Sequence, residues 1–286
     1  MPCRSRSKPE NEFFAKIEAM DNKNIEEKVE KLFNTISSDK RYLNEIEYLQ
    51  SELSVAKEQI IASWLYWDTA IRKYSNEVYS SEALRIVMHL HNYLVGSWHE
   101  KRQEMVLGYL KNIGSKSICE IGFGVPQKYV KEFLNAEGVK IFLGDYEKSS
   151  LHFAEKLLNF WNKDWQRKIH LAIFDMNTDS LPSGYDTYIF QDSIEHAINP
   201  SETLNKFVDA IPKNTHFIFS LPIEIENPIP EHNIFWENEE EVFDWFKKSK
   251  LEIVASDTIK MNKEVDIFSL SLHPDFREVV VLVRKF

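Results

Sequence analysis

Glycine and proline are scarce in this chain of 286 residues, and both are missing from one long stretch. No residue between Pro9 and Gly96 is either of them. Because these two residue types are the strongest helix breakers, we expect long helices there. Apolar residues from Tyr42 to Tyr74 recur at alternating spacings of four and three, which predicts one amphipathic helix or two nearly continuous helices.

Cysteine and long apolar runs are scarce as well. Only Cys3 and Cys119 occur, which excludes a disulfide framework and a CxxC metal knuckle. No apolar run approaches the roughly 20 residues that a membrane helix needs. The opening stretch, MPCRSRSKPENEFF, has no apolar core of a secretory signal, so we expect a cytoplasmic protein without a membrane partner. The hydrophobic content of the whole chain, 43%, excludes a disordered protein.

Positive charge is in deficit. The formal net charge of −10 repels phosphate backbones, which makes nucleic acid a disfavoured partner.

From about residue 115 short apolar runs alternate with amphipathic stretches, which indicates a parallel sheet covered by helices on both faces. The last two runs, LEIVASDTIK and REVVVLVRKF, have no helical segment between them and predict a terminal strand pair. We therefore expect a helical region at residues 1–113 and an α/β domain at residues 114–286. The predicted strands are SICEIG, KIFLGD, IHLAIFD, DTYIFQD, THFIFSLP and that pair; the predicted helices are about 127–135, 149–161, 201–210 and 239–248.

A glycine pair follows the first predicted strand. Gly122 and Gly124 would let the chain turn tightly and let a ligand lie against bare backbone. Asp145 ends the second strand, 21 residues after Gly124, where a carboxylate can accept hydrogen bonds from both hydroxyls of a ribose. The pattern predicts a site for a nucleoside-type ligand. A dinucleotide fingerprint is the lesser interpretation, because Gln127 stands where that motif wants a small residue and Pro126 has no N–H to offer a pyrophosphate.

The motif E-x-G-x-G at Glu120, Gly122 and Gly124, followed by Asp145, resembles the first two motifs of class I S-adenosylmethionine-dependent methyltransferases. AIFDMN and YDTYIFQDSIEHAINP resemble later segments of that family, and so do IPKNTHFIFSLP and EHNIFWENEEEVFDWFKKSKLEIV. The resemblance covers about residues 114–286, although a third loop glycine and the usual glycine pair after the fifth strand are missing. It implies a Rossmann-like, mostly parallel, seven-stranded sheet with a terminal antiparallel strand.

The resemblance also implies a methyl donor, S-adenosyl-L-methionine, and a residue set that binds it. Glu120, Gly122 and Gly124 would line the methionine part, and Asp145 would hold the ribose. On the adenine side it implies Tyr146 along the ring, Asp175 at the amino group and Met176 packed nearby, with Gln191 reaching the methionine end.

Catalytic groups are expected just beyond the fourth strand, because catalytic side chains gather at the carboxyl ends of parallel strands. His196 is a candidate base near neutral pH, and Asp192 and His232 are further candidates. The alternative is that His196 only braces its loop.

D-x-x-E-H at Asp192, Glu195 and His196, with His232 following later, is similar to the metal-binding pattern of metal-dependent small-RNA 3′-terminal 2′-O-methyltransferases. Such ligands could hold Mg²⁺ or Mn²⁺. The acidic net charge and the lack of a basic RNA-binding segment argue against this reading, so a divalent metal is not favoured.

The helical region predicts a lid over a small-molecule site and a surface for a homodimer, with Trp64, Trp67, Tyr74, Trp98 and His99 as lid candidates. We therefore expect a methyltransferase that acts on a nitrogen or oxygen of a small biosynthetic metabolite. The metal-dependent RNA enzyme and a non-catalytic scaffold with a methyltransferase-like fold remain the alternatives.

Overall fold

The computed structural model of the protein describes residues 40–54, 97–223, 232–260 and 277–286, together with residues 27, 31, 34 and 38. In these ranges the helices are α1 (Lys40–Leu53), α2 (Ser97–Asn112), α3 (Lys128–Leu134), α4 (Lys148–Trp161), α5 (Pro200–Ala210) and α6 (Glu239–Lys248). The strands are β1 (Ser117–Ile121), β2 (Lys140–Asp145), β3 (Ile169–Ile173), β4 (Thr187–Gln191), β5 (His216–Ile223), β6 (Leu251–Lys260) and β7 (Arg277–Lys285). Short 3-10 helices lie at Trp165–Arg167 and Ile194–His196.

All seven strands form one sheet in the order β3-β2-β1-β4-β5-β7-β6. β1 runs parallel to β2 and β4, and β7 runs antiparallel to both β5 and β6. The predicted mostly parallel seven-stranded sheet with one antiparallel terminal strand is therefore confirmed. The strand order reverses between β1 and β4, and open α/β sheets bind ligands at such a topological switch point.

The apolar strand runs form a sheet that is buried on both faces. Successive side chains of a strand point to opposite faces, so Ile118 packs in one core cluster and Cys119 in the other. Cys119 is fully buried, as expected of a small hydrophobe. Helices α2, α3 and α4 cover the face of Ile118, and α5 and α6 cover the face of Cys119.

Helix α2 belongs to the packing of the sheet. Its residues Val106 and Leu110 are fully buried in the same core cluster as Ile118 and Ile189. The N-terminal helix α1 lies against α4, where the indole N–H of Trp161 donates to Glu45 over 2.8 Å. The division at residues 113 and 114 stays a prediction. No helix among the described residues has the length and apolar character that a membrane crossing requires.

Candidate active site

The loop after β1 owes its shape to two glycines in the left-handed region. Gly122 has a φ of 71° and Gly124 a φ of 56°. A Cβ on Gly122 would lie 2.5 Å from Cβ of Ser193, whereas a Cβ on Gly124 would meet no described atom within 4 Å. The close approach at Gly122 is therefore made by the protein's own loop after β4. At Gly124 a side chain would enter space that no described atom occupies.

Asp145 is fixed at the end of β2 by backbone amides. Its Oδ2 accepts the N–H of Gly124 and its Oδ1 accepts the N–H of Glu147, each over 2.9 Å. Burial raises the pKa of Asp145, and these backbone hydrogen bonds oppose that rise. A carboxylate has about four lone-pair sites. Asp145 also accepts from the side chain of Ser150, so it can keep these three hydrogen bonds and still accept one from a hydroxyl of a ligand.

Glu120 lies fully buried at the end of β1. It accepts hydrogen bonds of 2.6 Å from the hydroxyl of Tyr129 and from the amide nitrogen of Gln191. Burial raises the pKa of Glu120 to about 7, although both hydrogen bonds act to lower it. The side-chain oxygen of Gln191 is buried, and no described residue donates to it. The structure thus joins two of the predicted cofactor-binding residues.

Gln127 stabilises the glycine loop through hydrogen bonds of its side chain. Its amide nitrogen donates to the carbonyl of Val125 over 3.0 Å, and its side chain also bonds Gln103 of α2. The oxygen of Gln103 accepts the N–H of Lys128 over 3.1 Å, which caps the start of α3. Position 127 is thus filled by a buried amide that holds the loop to α2, where a dinucleotide fingerprint has a small residue.

The predicted adenine contacts directly follow β2 and β3. Tyr146 follows Asp145 and is 72% exposed, and the methyl carbon of Met176 lies 3.8 Å from the position of a Cβ on Gly122. Asp175 is half-buried, and its Oδ1 accepts both the backbone and the side-chain N–H of Asn177 over 2.9 Å. One oxygen of the Asp175 carboxylate therefore stabilises the turn that follows β3.

The loop after β4 is tied to α2 and β7 by a buried arginine. Arg102 forms an ion pair with Asp192, which has a φ of 45°, and another with Glu278 over 3.0 Å. Its second terminal nitrogen bonds Nδ1 of His99 over 2.8 Å. Because an arginine only donates, Nδ1 of His99 accepts here. Both ion pairs raise the pKa of Arg102 against the opposing effect of burial.

Sequence reasoning missed Arg102 and Glu278. Glu278 does carry a signal, since it is an acid within the apolar run REVVVLVRKF. Arg102 carries none, because it is one of several charged residues in a polar helix.

Three of the four candidate metal ligands converge. Single ligand atoms of Glu195, His196 and His232 all lie within 4.8 Å of one another. The ring centroids of the two histidines are 4.6 Å apart. The N–H of Asn233 donates to the carbonyl of Glu195 over 2.8 Å, which joins the segment of His232 to the loop after β4. The fourth candidate, Asp192, is held by Arg102.

The predicted lid is only partly within view. His99 is buried and bonds Arg102. Trp98 lies in α2, but its side chain is outside the described part, as are residues 64, 67 and 74 entirely.

No protein-family model matches the chain, and no curated protein matches it. Several solved structures are similar to it. Magnesium protoporphyrin IX methyltransferase from Synechocystis PCC 6803, crystallised with S-adenosylmethionine, is 15% identical with a TM-score of 0.51, over 77% of this chain and 97% of that one. The mitomycin 7-O-methyltransferase MmcR is 14% identical with a TM-score of 0.51, over 80% and 67%. The [4+2]-cyclase SpnF is 7% identical with a TM-score of 0.50, over 64% and 80%.

At these identities the likeness concerns the fold. The strand order, with β7 inserted antiparallel between β5 and β6, agrees with it. The protein therefore has the Rossmann-like fold of class I S-adenosylmethionine-dependent methyltransferases.

Proposed function

We propose that the protein is an S-adenosylmethionine-dependent methyltransferase that acts on a nitrogen or oxygen of a small metabolite. The observation that carries the proposal is the hydrogen bond between Gly124 and Asp145, which holds a fixed carboxylate beside open backbone at the carboxyl ends of β1 and β2. A carboxylate there suits a ribose, and the loop has no nest of N–H groups for a pyrophosphate because Pro126 interrupts it.

Each half of the donor has a matching part of the site. Asp145 accepts from a ribose hydroxyl, and exposed Tyr146 with Met176 covers the adenine. Asp175 keeps its second oxygen for the adenine amino group. Glu120 and Gln191 face the methionine end, where the unsatisfied oxygen of Gln191 can accept from the ammonium group.

The solved structures support the choice of donor but do not decide the reaction. One neighbour holds S-adenosylmethionine, and another is an O-methyltransferase. SpnF has a similar fold and is a [4+2]-cyclase, so the reaction must be argued from the site.

Methyl transfer asks little covalent chemistry of the protein. The lone pair of the acceptor forms a bond to the methyl carbon while the carbon–sulfur bond breaks, and its electron pair stays on sulfur to give S-adenosylhomocysteine. The protein holds the three atoms in line and excludes water. An acceptor that must lose a proton can pass it to His196, with His232 beside it and Asp192 at the end of β4.

Two measurements with S-adenosylhomocysteine and with NAD test the proposal. Titration calorimetry measures the binding of each ligand, and thermal unfolding measures the melting temperature in its presence. We expect S-adenosylhomocysteine to bind and to raise the melting temperature, and NAD to do neither. Stabilisation by NAD alone would overturn the proposal. Failure of both ligands to bind would favour the non-catalytic scaffold.

A second candidate is favoured by the cluster of Glu195, His196 and His232. Two imidazoles and a carboxylate suit Mn²⁺, which could polarise vicinal hydroxyls at an RNA terminus. Mn²⁺ titration of the wild type and of His232→Ala separates the candidates. Loss of activity in EDTA, together with RNA binding that weakens steeply with salt, would establish the RNA enzyme. The small-molecule enzyme keeps its affinity for S-adenosylhomocysteine in EDTA.

The cytoplasmic location and the homodimer formed through the N-terminal helices stay predictions. Analytical ultracentrifugation of the full chain tests the dimer.

A further inference from the structure

Four polar side chains lie on neighbouring strands of the sheet, toward the carboxyl ends of its parallel strands. They lie on the face that α2 covers. Each lies two residues along its strand from a buried residue of one core cluster and so shares the face of that residue; these core residues are Ile118, Ile189, Ile218 and Val280. All four are buried. We call them the polar layer: Glu120, Gln191, Ser220 and Glu278.

The polar layer presents oxygens that the described residues leave without hydrogen bonds. They are the amide oxygen of Gln191, the hydroxyl of Ser220 and Oε2 of Glu278. Gln191 and Ser220 are direct neighbours across β4 and β5. A buried oxygen without a hydrogen bond destabilises the folded state. Three of them in one layer indicate a site that a ligand completes.

Acidic side chains outnumber basic ones at this layer. Asp192 and Glu278 share the single guanidinium of Arg102, and Glu120 adds a third carboxyl, which is fully buried. His99 adds no positive charge, because its Nδ1 accepts from Arg102. Burial raises the pKa of Glu278, and the neighbouring guanidinium of Arg102 opposes that rise.

This layer adjoins the place where methyl transfer would occur. Asp192 directly follows Gln191 at the end of β4, and the same guanidinium binds Asp192 and Glu278. Glu278 therefore lies one arginine side chain away from the loop that carries the candidate catalytic groups.

We propose that Glu278 and Ser220 form the acceptor subsite and that the acceptor is an amine. The proposal rests on the proposed methyltransferase function. The amine, an ammonium in solution near neutral pH, first releases one proton to solvent. Oε2 of Glu278 then accepts an N–H of the neutral amine, and the nitrogen lone pair is directed at the methyl group.

The movement of charge during the reaction favours an amine over an alcohol. When the nitrogen–carbon bond forms and the carbon–sulfur bond breaks, positive charge moves from sulfur to nitrogen, and the methylated ammonium later releases its proton to solvent. Nearby carboxylates stabilise that charge. An alcohol would have to develop negative charge beside the same carboxylates, which they oppose.

Matched probes test the subsite. 2-Phenylethylamine and 2-phenylethanol differ in the donor group, and their affinities are measured by calorimetry for the full chain saturated with S-adenosylhomocysteine. We expect the amine to bind the wild type at least tenfold more tightly than the alcohol. Glu278→Gln should reduce that preference to threefold or less and leave the affinity for S-adenosylhomocysteine within about twofold. Glu252→Gln, at an exposed acid of β6, should keep the full preference.

Equal binding of the two probes by the wild type, binding of neither, or an amine preference retained in Glu278→Gln would overturn the proposal. The wild-type comparison decides the matter even if the variant does not fold. Absence of S-adenosylhomocysteine binding would instead overturn the methyltransferase function, so the two failures are distinguishable.

Discussion

The backbone N–H of Gly124 donates a 2.9 Å hydrogen bond to Oδ2 of Asp145 and so joins the turn after β1 to the acid that ends β2. The two residues are 21 positions apart in sequence and meet because β1 and β2 are parallel neighbours. A carboxylate held in this way does not need to reorganise when a ribose arrives.

Removal of this carboxylate should abolish most of the donor affinity. Hydrogen bonds to a charged group are worth about 1.5–3 kcal/mol, so Asp145→Ala should weaken S-adenosylhomocysteine binding by roughly 10- to 100-fold. Calorimetry measures the change. Asp244→Ala, at an exposed acid of α6, is the control and should bind normally. Equal affinity of Asp145→Ala and the wild type would contradict the ribose assignment.

Gly124 and Gly138 form a matched pair for testing where the ligand lies. Both have positive φ, and a Cβ on either would meet no described atom within 4 Å. Each alanine variant should lose about 1–2 kcal/mol of stability from backbone strain alone. Only Gly124→Ala should also weaken S-adenosylhomocysteine binding, by at least tenfold, because its methyl group occupies the ligand's side of the loop. Similar affinities of the two variants would place the ligand elsewhere.

Gly122→Ala should be the more damaging substitution. Its Cβ would lie 2.5 Å from Cβ of Ser193, so the loop after β4 must move in addition to the strain at positive φ. We expect a loss of stability larger than that of Gly138→Ala by at least about 1 kcal/mol. Urea unfolding of the two variants measures this difference in stability. Equal losses would show that the loop of Ser193 can move without an energetic cost.

The strands could be predicted from local sequence patterns. The strand of Ile118 and Cys119, for example, is a short apolar run between turn residues, and the structure confirms all seven predicted strands. Glu120, the two glycines and Asp145 were predictable because each follows or ends such a run. The approach of Ser193 to Gly122 was not predictable, since it depends on the crossover that sets β4 beside β1.

The network of Arg102 could not be predicted for a related reason. Its partners Asp192 and Glu278 are 90 and 176 residues away, and no periodicity in the sequence relates them. The pairing exists because α2 packs on the sheet near the ends of β4 and β7. Such a contact is a consequence of the assembled layers.

The raised pKa of Glu120 should make stability depend on pH. Its folded value of about 7 lies above its ordinary value of 4.5, so the folded state binds the extra proton. The stability contribution is full below about pH 4.5 and is lost as the pH rises through 7. Urea unfolding should show Glu120→Gln gaining on the wild type by on the order of 2–3 kcal/mol between about pH 5 and pH 8. A difference that does not change with pH would contradict the raised pKa.

Truncation of Arg102 should be severe, and a second substitution should partly repair it. Arg102→Met leaves Asp192 and Glu278 without their shared cation, which should cost about 3–5 kcal/mol. Adding Glu278→Met removes the fully buried acid, whereas Asp192 retains some solvent contact. The double variant should therefore be more stable than Arg102→Met alone, as measured by urea unfolding.

A double-mutant cycle separates this network from an ordinary surface ion pair. Arg284 and Glu252 form a pair whose side chains are 42% and 52% exposed. Their coupling energy should be below about 1 kcal/mol, because solvent screens exposed pairs. The buried pair of Arg102 and Glu278 should couple by at least about 2 kcal/mol, since each charge has lost its water and depends on the other. Additive losses in the buried pair would mean that α2 is held to the sheet by its apolar contacts alone.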